Sequence, residues 1–190
     1  ISPRKHIQDW HAALAYARRI EWIDHSRIGL WGSSYSGGHV LCVASRDQGV
    51  RAVVAQVPFV NGLSSSWNMK NMLGWRFIGM CTAAATRDIL RAVTLRSPYY
   101  IAAYGKPGEQ AILSTPDCYE GVMSIIPPAL RDWDKTTPAR AVLYLLAYRP
   151  SSKVRKIKCP VLIIAGENDS LIPFEFVKKT AARIPNARFI

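Results

Sequence analysis

Two kinds of hydrophobic pattern alternate along this chain. Near the N-terminus, apolar residues recur at the i, i+3, i+4 and i+7 spacing of one helix face, which predicts an amphipathic helix over residues 8–22 with Asp9 in its first turn. Helices are also expected at residues 38–45 and 173–183. Short continuous apolar runs predict buried strands at residues 28–31, 51–60, 161–165 and 187–190. Strands that alternate with helices are typical of an α/β domain with a parallel sheet.

Residues 61–158 interrupt this alternation. The segment is rich in Trp, Tyr, Met, Pro and Ala, and it is too long for a connecting loop, so we expect it to carry structure of its own. Its aromatic and Met side chains either line an apolar pocket or form the core of the segment itself, and the sequence favours neither alternative. Helical stretches are predicted at residues 67–80, 88–95, 108–114 and 138–147.

The composition is that of one globular domain. The chain has 190 residues, of which 49% are hydrophobic and 20% charged, and this excludes collagen-like, coiled-coil and disordered classes. The four cysteines lie far apart, with no Cys-x-x-Cys pair and no His at metal-ligand spacing. We therefore expect buried free thiols, no bound metal and a reducing, cytoplasmic location.

The positive charge does not form the pattern of a polyanion-binding surface. The net charge is +12, but the basic residues are scattered in ones and twos, and the densest run is Lys153–Lys158. A nucleic-acid footprint forms a stripe or patch with interleaved aromatic residues. We therefore expect a small-molecule partner, with neither nucleic acid nor a membrane surface as a partner.

The most informative segment is Arg27–Val40, which reads RIGLWGSSYSGGHV. An apolar strand runs into a turn rich in Gly and Ser and then into a helix, which is the context of a nucleophile elbow. The residues two before and two after the nucleophile must be small because backbones crowd there, and Gly32 and Ser36 meet this requirement around Ser34. Ser34 is the predicted nucleophile, and the backbone N–H of Tyr35 is the predicted oxyanion donor.

A second register of the same motif makes Ser36 the nucleophile, with Ser34 and Gly38 as its small neighbours. The first register is favoured because Gly32 directly follows the strand and the elbow accommodates no extra residue. A serine-rich turn without chemistry is the remaining interpretation.

A second candidate group lies in the segment CPVLIIAGENDSLIP, residues 159–173. A carboxylate just beyond the carboxyl end of a strand lies at the sheet edge where ligands bind in open α/β folds. Asp169 is therefore the predicted acid of a catalytic triad. Glu167 is the alternative, although it follows Gly166 directly and is expected to cap or to face solvent. Asp169 also fits a turn residue that bonds its own backbone.

Several segments resemble one branch of the α/β-hydrolase superfamily, which includes dienelactone-hydrolase-like proteins, X-Pro dipeptidyl-peptidase-like proteins and fungal polyketide transferases or thiohydrolases. The resemblance lies in DWHAALAYARR, DHSRIGLWGSSYSGGHVL and AVVAQVP, and in SPYYIAAYGKPG, STPDC and WDKTTPAR of the middle segment. It implies an α/β-hydrolase fold with a mostly parallel sheet, whose core is residues 1–60 and 159–190 and whose helical cap insertion is residues 61–158. It also implies that Ser34 is the nucleophile, Asp169 the acid and Tyr35 an oxyanion donor.

The catalytic histidine of this family follows the acid in the chain. No His follows Asp169, and His39 in the elbow helix is interpreted as a core or capping residue. The chain begins without Met and stops at Ile190 in a strand-like run, so we expect a fold truncated at both ends. The base is then expected beyond Ile190, and the second oxyanion donor upstream of Ile1.

The function that the resemblance implies is that of a serine hydrolase. It would act on an ester, a thioester or a related acyl group through an acyl-enzyme, with no cofactor. An acyltransferase would use the same residues, so the sequence leaves that alternative open. Peptidase action is less favoured because the sequence identifies no carboxylates for amine recognition. A hydrolase-fold binding protein without turnover is the alternative if no His follows residue 190.

Overall fold

The computed structural model describes residues 2–131 and 134–190. It forms two compact units, one made of Ser2–Gly62 with Tyr148–Ile190 and one made of Leu63–Ala147. Short 3-10 turns lie at His25–Arg27, Pro128–Leu130, Pro150–Ser152 and Val154–Lys156. In chain order, the helices and strands are α1 (Pro3–Ala17), β1 (Gly29–Ser33), α2 (Tyr35–Ala44), β2 (Ala52–Gln56), α3 (Gly62–Val93), β3 (Tyr100–Tyr104), β4 (Ala111–Leu113), α4 (Cys118–Ile125), β5 (Thr136–Pro138), α5 (Ala141–Ala147), β6 (Val161–Ile164), α6 (Phe174–Ala181) and β7 (Ala187–Phe189).

The first unit is built on a four-stranded parallel sheet in the order β1-β2-β6-β7. Side chains two residues apart along a strand lie on the same face of the sheet, because the side-chain period of a strand is two. The register of the parallel strands aligns these side chains with those of the neighbouring strands. The buried face carries Leu30, Val53, Ala55, Val161 and Ile163. The α/β class and the parallel sheet predicted from the apolar runs are therefore confirmed.

Helix α2 packs against β1 and β2 and is buried along most of its length. A helix that is apolar all round belongs in a core, and residues 37–44 are all buried. Two glycines allow its close approach to the chain that follows β2. A Cβ on Gly37 would lie 2.9 Å from Pro58 Cα, and one on Gly38 would lie 2.3 Å from the carbonyl oxygen of Phe59.

The Gly38→Ala variant should have a free energy of unfolding about 1–3 kcal/mol lower than that of the natural protein, as measured by urea unfolding. The added methyl group would overlap the Phe59 carbonyl oxygen, which can move only if the surrounding backbone moves with it. Gly29→Ala is the matched control in the same unit. Its added Cβ would lie 3.5 Å from the Ala52 carbonyl oxygen, an ordinary contact, so its stability should change little. Equal stabilities of the two variants would contradict the close packing of α2.

Helix α1 and strand β1 differ from the sequence predictions. Helix α1 runs over Pro3–Ala17 instead of residues 8–22, with proline at a first-turn position, where its missing N–H is not needed. Asp9 therefore lies in the middle of α1, and its predicted first-turn position is wrong. A buried strand was predicted at residues 28–31, but in β1 the burial alternates and Trp31 is 61% exposed, so only one face of this strand is buried.

The second unit combines helices with a small mixed sheet in the order β4-β3-β5. Helix α3 is kinked at Gly74, where φ is 78° and ψ is 173°. The predicted helices at residues 67–80 and 138–147 correspond to α3 and α5, whereas the helix predicted at residues 108–114 is wrong because β4 lies there. No helix within residues 2–131 and 134–190 has the length and apolarity to cross a bilayer. The interpretation of residues 61–158 as a cap stays a prediction.

A buried ion pair ties α3 to two other segments of this unit. The Asp88 carboxylate is completely buried and accepts hydrogen bonds from the Arg140 backbone N–H, Nε and Nη2 at 2.7–2.9 Å and from the Tyr99 N–H at 2.9 Å. Burial alone would disfavour the charge, but the bonds from Arg140 and Tyr99 outweigh it and lower the pKa of Asp88 to about 2. This carboxylate therefore holds α3, the start of β3 and the start of α5 together.

Candidate functional site

Ser34 is the single residue between the end of β1 and the start of α2. Its backbone has φ 53° and ψ −119°, a combination that L-residues rarely adopt. Such strain persists only where the surrounding structure fixes it, and it occurs preferentially at functional sites. The strained turn leaves Ser34 exposed at the carboxyl end of the strand, as in a nucleophile elbow.

Hydrogen bonds and close packing hold this turn in place. The Ser34 N–H donates to the Gln56 carbonyl at 2.9 Å, and the Phe59 N–H donates to the Ser34 carbonyl at 2.8 Å. Across the turn, a Cβ on Gly32 would lie 2.5 Å from the Ser36 carbonyl oxygen. The crowding that the motif requires two residues on either side of Ser34 is therefore present.

Ser36, the alternative nucleophile, occupies a different environment. It lies in the first turn of α2, and its φ angle is not positive. The strained backbone thus belongs to Ser34 and not to Ser36.

Tyr35 is the first residue of α2, where the backbone N–H has no intrahelical acceptor. The partial positive charge of the helix N-terminus adds to this donor, so the N–H is suited to a developing oxyanion beside Ser34. The Tyr35 ring is half-buried, and burial raises the pKa of its hydroxyl. The phenol therefore stays protonated.

His39 is held on both sides of its ring. Its Nδ1 lies 2.7 Å from the Tyr148 hydroxyl, and its Nε2 lies 3.2 Å from Nδ1 of His6. The ring also packs edge-on against Tyr35, with a centroid distance of 4.4 Å. Because both nitrogens are occupied, His39 is a buried structural residue in this arrangement and is not free to take a proton from Ser34.

The pKa of His39 is lowered to about 4, first by burial and then by the nearby His6. A histidine with a depressed pKa stabilises the fold in its neutral form above its unfolded pKa of about 6.5, and this stability is lost as the pH falls toward the folded value. Between pH 7 and pH 5, the free energy of unfolding should fall by about 2 kcal/mol through this group.

Urea unfolding at both pH values measures this loss. The His39→Gln variant, which cannot titrate, should show a correspondingly smaller change between pH 7 and pH 5, whereas His25→Gln, at an exposed position, should behave like the natural protein. An identical pH dependence in His39→Gln and the natural protein would contradict the assignment.

Asp169 lies in the loop that follows β6 and is half-buried. Its Oδ1 accepts hydrogen bonds from the Leu171 and Ile172 backbone N–H groups at 2.9 Å each. These are the local bonds of a turn aspartate, and they fix the side chain in one orientation. Oδ2 accepts no hydrogen bond from the described residues, so one carboxylate oxygen remains for another partner. Glu167 is exposed in the same loop.

The fold brings Ser34 and Asp169 to one edge of the sheet. Ser34 follows β1 and Asp169 follows β6, and both strands pair in parallel with β2 between them. Strands two positions apart are separated by about 10 Å. This spacing leaves room for a third side chain between the serine and the carboxylate.

A cavity of about 660 Å³ opens beside Ser34. The elbow residues and His39 form one wall, and α1 forms the other with His6, Asp9, Trp10 and Ala13. Neither His6 nor Asp9 was a predicted site residue. A helical spacing could have placed them on one face, because Asp9, Trp10 and Ala13 follow His6 at i+3, i+4 and i+7. The predicted helix began only at Gln8, however, and so did not include His6.

No group of three or more potential metal-ligating side chains occurs among the described residues. Of the cysteines, Cys42, Cys81 and Cys118 are buried and Cys159 is half-buried. Burial raises the pKa of Cys42 and Cys159, and it raises that of Cys81 to about 11. These thiols are therefore weak nucleophiles compared with a typical reactive cysteine.

Comparisons with known proteins agree with this geometry. Residues 3–102 match the profile of the prolyl oligopeptidase family, Peptidase_S9. The chain is 32% identical over 183 residues to the quorum-quenching protein AidA of Acinetobacter baumannii (strain MDR-ZJ06), covering 96% of this chain and 59% of that protein. It is 24% identical over 173 residues to the polyketide transferase af380 of Aspergillus fumigatus, covering 90% of this chain and 56% of that protein.

A crystal structure of the α/β hydrolase GrgF from Penicillium sp. sh18 matches the fold with a TM-score of 0.72 at 17% identity, covering 100% of this chain and 62% of that one. The α/β-hydrolase fold and the branch that the sequence resembles are confirmed. The chain spans 56–59% of the length of the two curated relatives.

Proposed function

Since the chain belongs to the prolyl oligopeptidase family, we propose that the protein is a serine hydrolase that acts on an ester, thioester or related acyl group through an acyl-enzyme. The observation that carries this proposal is the strained backbone of Ser34 between a parallel strand and a buried helix. The same geometry exposes the serine at the sheet edge where ligands of α/β folds bind.

The roles of the residues follow from their positions. Ser34 Oγ attacks the acyl carbonyl carbon, and its proton passes to a histidine. Asp169 orients that histidine and stabilises its charged form, and the Tyr35 N–H stabilises the oxyanion. Because both ring nitrogens of His39 are occupied, we propose that the base is a histidine other than His39.

Acyl transfer is the second candidate activity. It is supported by the similarity to a polyketide transferase, since a transferase and a hydrolase share the acyl-enzyme and differ only in the group that accepts the acyl. We keep hydrolysis first because water needs no acceptor site. The resemblance to peptidases concerns the fold and the elbow, and none of the contacts at Ser34 distinguishes an amide from an ester.

Labelling of the full-length protein with a fluorophosphonate tests the proposal, because this reagent reacts with an activated serine and the labelled peptide identifies the residue. The expected result is one label, on Ser34. A label on Ser36 would move the nucleophile, and the absence of any label would support a hydrolase-fold protein without turnover. Product analysis with and without an added thiol or alcohol acceptor then separates transfer from hydrolysis.

A further inference from the structure

A cluster of four ring side chains lies beside the strained turn of Ser34. It consists of Tyr35, His39, Phe59 and Tyr148. The Tyr148 ring stacks on Phe59 with an interplanar angle of 7° and a centroid distance of 6.2 Å, and it meets Tyr35 edge-on at a centroid distance of 5.6 Å. The centroids of Tyr148 and His39 are 5.3 Å apart. Tyr148 therefore contacts each of the other three members of this ring cluster.

Two members of the ring cluster are joined directly to the predicted nucleophile. Tyr35 follows Ser34 in the chain and carries the backbone N–H that is suited to the oxyanion. The Phe59 N–H donates to the Ser34 carbonyl at 2.8 Å. A strained backbone persists only where its surroundings fix it, so the placement of Ser34 depends on how firmly these two neighbours are held.

The side chain of Tyr35 is held by its ring contacts. Its hydroxyl oxygen is buried and has no hydrogen-bond partner among the described residues. The ring meets His39, Tyr148 and Phe59 close to edge-on, with centroid distances of 4.4, 5.6 and 5.9 Å. Edge-to-face pairs of this kind are favourable. Within the described part of the chain, the orientation of Tyr35 therefore depends on the three rings around it.

Tyr148, in contrast, is anchored through both its backbone and its hydroxyl. Its carbonyl accepts a hydrogen bond from the Gly62 N–H at 2.9 Å. Its hydroxyl oxygen lies 2.7 Å from His39 Nδ1 and 3.5 Å from Cys42 Sγ. Either the hydroxyl or an Nδ1–H of His39 can donate in the shorter contact, so the bond exists in both tautomers of the imidazole. Tyr148 is also buried, and it is the fixed member against which the other rings pack.

We propose that Tyr148 is a positioning residue for the reaction of Ser34. It does not line the cavity beside Ser34, so it acts through the ring cluster and not on the acyl substrate. By holding the rings of Tyr35 and Phe59, it keeps the Ser34 hydroxyl and the Tyr35 N–H in the geometry of attack. Reacting groups must be placed to within about 0.5 Å, and a misplacement of about 1 Å can cost about 10²-fold in rate. The inference rests on the proposed function, because it concerns the same reaction.

The Tyr148→Phe variant of the full-length protein tests this role. It keeps the ring and removes the hydroxyl, and the hydrogen bond to His39 is lost whichever of the two groups donates. We expect kcat/KM for a phenyl ester to fall by about ten- to a hundredfold, the range of a misplaced reacting group. Tyr148→Leu also removes the ring that stacks on Phe59 and should lose more.

An aryl trifluoromethyl ketone separates positioning from a general loss of stability. Ser34 Oγ adds to the ketone carbon, its proton passes to the histidine, and the carbonyl oxygen becomes the oxyanion that the Tyr35 N–H binds. This adduct needs the same alignment as the transition state, so its inhibition constant should rise in Tyr148→Phe by the factor by which kcat/KM falls. The dissociation constant of the phenyl ester, measured by calorimetry in the Ser34→Ala background, should stay within about twofold, because ground-state binding does not need that alignment.

Val177→Ala is the matched control for lost stability. Val177 is buried in α6 and lies outside the ring cluster, so its truncation should lower the free energy of unfolding and leave kcat/KM and the inhibition constant at their natural values. Phe59→Leu is a second test that leaves Tyr148 intact. It keeps the backbone N–H that bonds Ser34 and removes the stacked ring, so it should show the same paired change, and it decides the proposal if Tyr148→Phe does not fold.

Natural values of kcat/KM and of the inhibition constant in Tyr148→Phe would overturn the proposal and leave Tyr148 as a core residue. A fall in kcat/KM without a rise in the inhibition constant would also overturn it, and so would an equal loss of affinity for the ester, which would assign Tyr148 to substrate binding. Fluorophosphonate labelling of the natural protein separates this inference from the proposed function. Absence of the label would overturn both, whereas a labelled Ser34 with an unchanged Tyr148→Phe variant would overturn the positioning role alone.

Discussion

The Ser34→Ala variant of the full-length protein should lose about four to six orders of magnitude in kcat/KM for a phenyl ester, because without the hydroxyl no acyl-enzyme forms and only binding and the oxyanion donors remain. Its free energy of unfolding should change by less than about 1 kcal/mol, since Ser34 is exposed and its hydroxyl bonds no described side chain. Steady-state kinetics and urea unfolding of the same preparations measure both quantities.

Ser36→Ala is the matched control for this experiment. It removes the same hydroxyl two residues further along, inside the first turn of α2, and most of the activity should remain. If Ser36→Ala were inactive and Ser34→Ala active, the nucleophile would be Ser36. The strained backbone of Ser34 would then be a feature of the turn alone.

The sheet and the elbow were predictable because both follow from local sequence. A strand buried in a parallel sheet needs a continuous apolar run, and Val161–Ile164 and Ala52–Gln56 are such runs. The elbow needs small residues two positions before and two positions after the serine, because the backbone segments at these positions lie close together. At Gly32 the crowding is visible as a 2.5 Å approach to the Ser36 carbonyl oxygen.

The elements that the sequence did not predict depend on contacts between distant residues. The strand at Ala111–Leu113 has only three residues, and pairing with β3 defines it more than its own sequence does. The start of α1 was missed because Pro3 and the polar residues after it interrupt the apolar pattern, although proline is well suited to a first helical turn.

The α1 wall of the candidate site was unpredictable for a similar reason. The hydrogen bond between His39 and Tyr148 joins residues 109 positions apart, and the one between His6 and His39 joins residues 33 positions apart. No local spacing encodes such pairs. The sequence could therefore indicate Ser34 and Asp169 as candidates, because each lies in a segment that follows a strand, but not the side chains that surround them.

Asp169→Asn should lower kcat of the full-length protein by about 10⁴, the loss seen when a triad carboxylate is neutralised. The substitution keeps an oxygen that accepts from the Leu171 and Ile172 N–H groups, so the loop should keep its conformation. In the proposed role of Asp169, the substitution removes the negative charge that stabilises the protonated histidine. Ester hydrolysis followed over a range of pH values measures the loss.

Glu167→Gln in the same loop is the control for Asp169→Asn. It tests whether the loss of activity comes from the position of the Asp169 carboxylate or from the removal of any negative charge in this loop. Glu167 is exposed one residue after Gly166, and removing its charge should leave kcat within about twofold of the natural value, because exposed charges are well screened. The reverse order of the two effects would transfer the acid to Glu167. If both variants kept nearly the natural kcat, Asp169 would not be the triad acid, because a triad acid cannot lose its charge without a large loss in kcat. Asp169 would then be a turn residue that only accepts its two backbone hydrogen bonds.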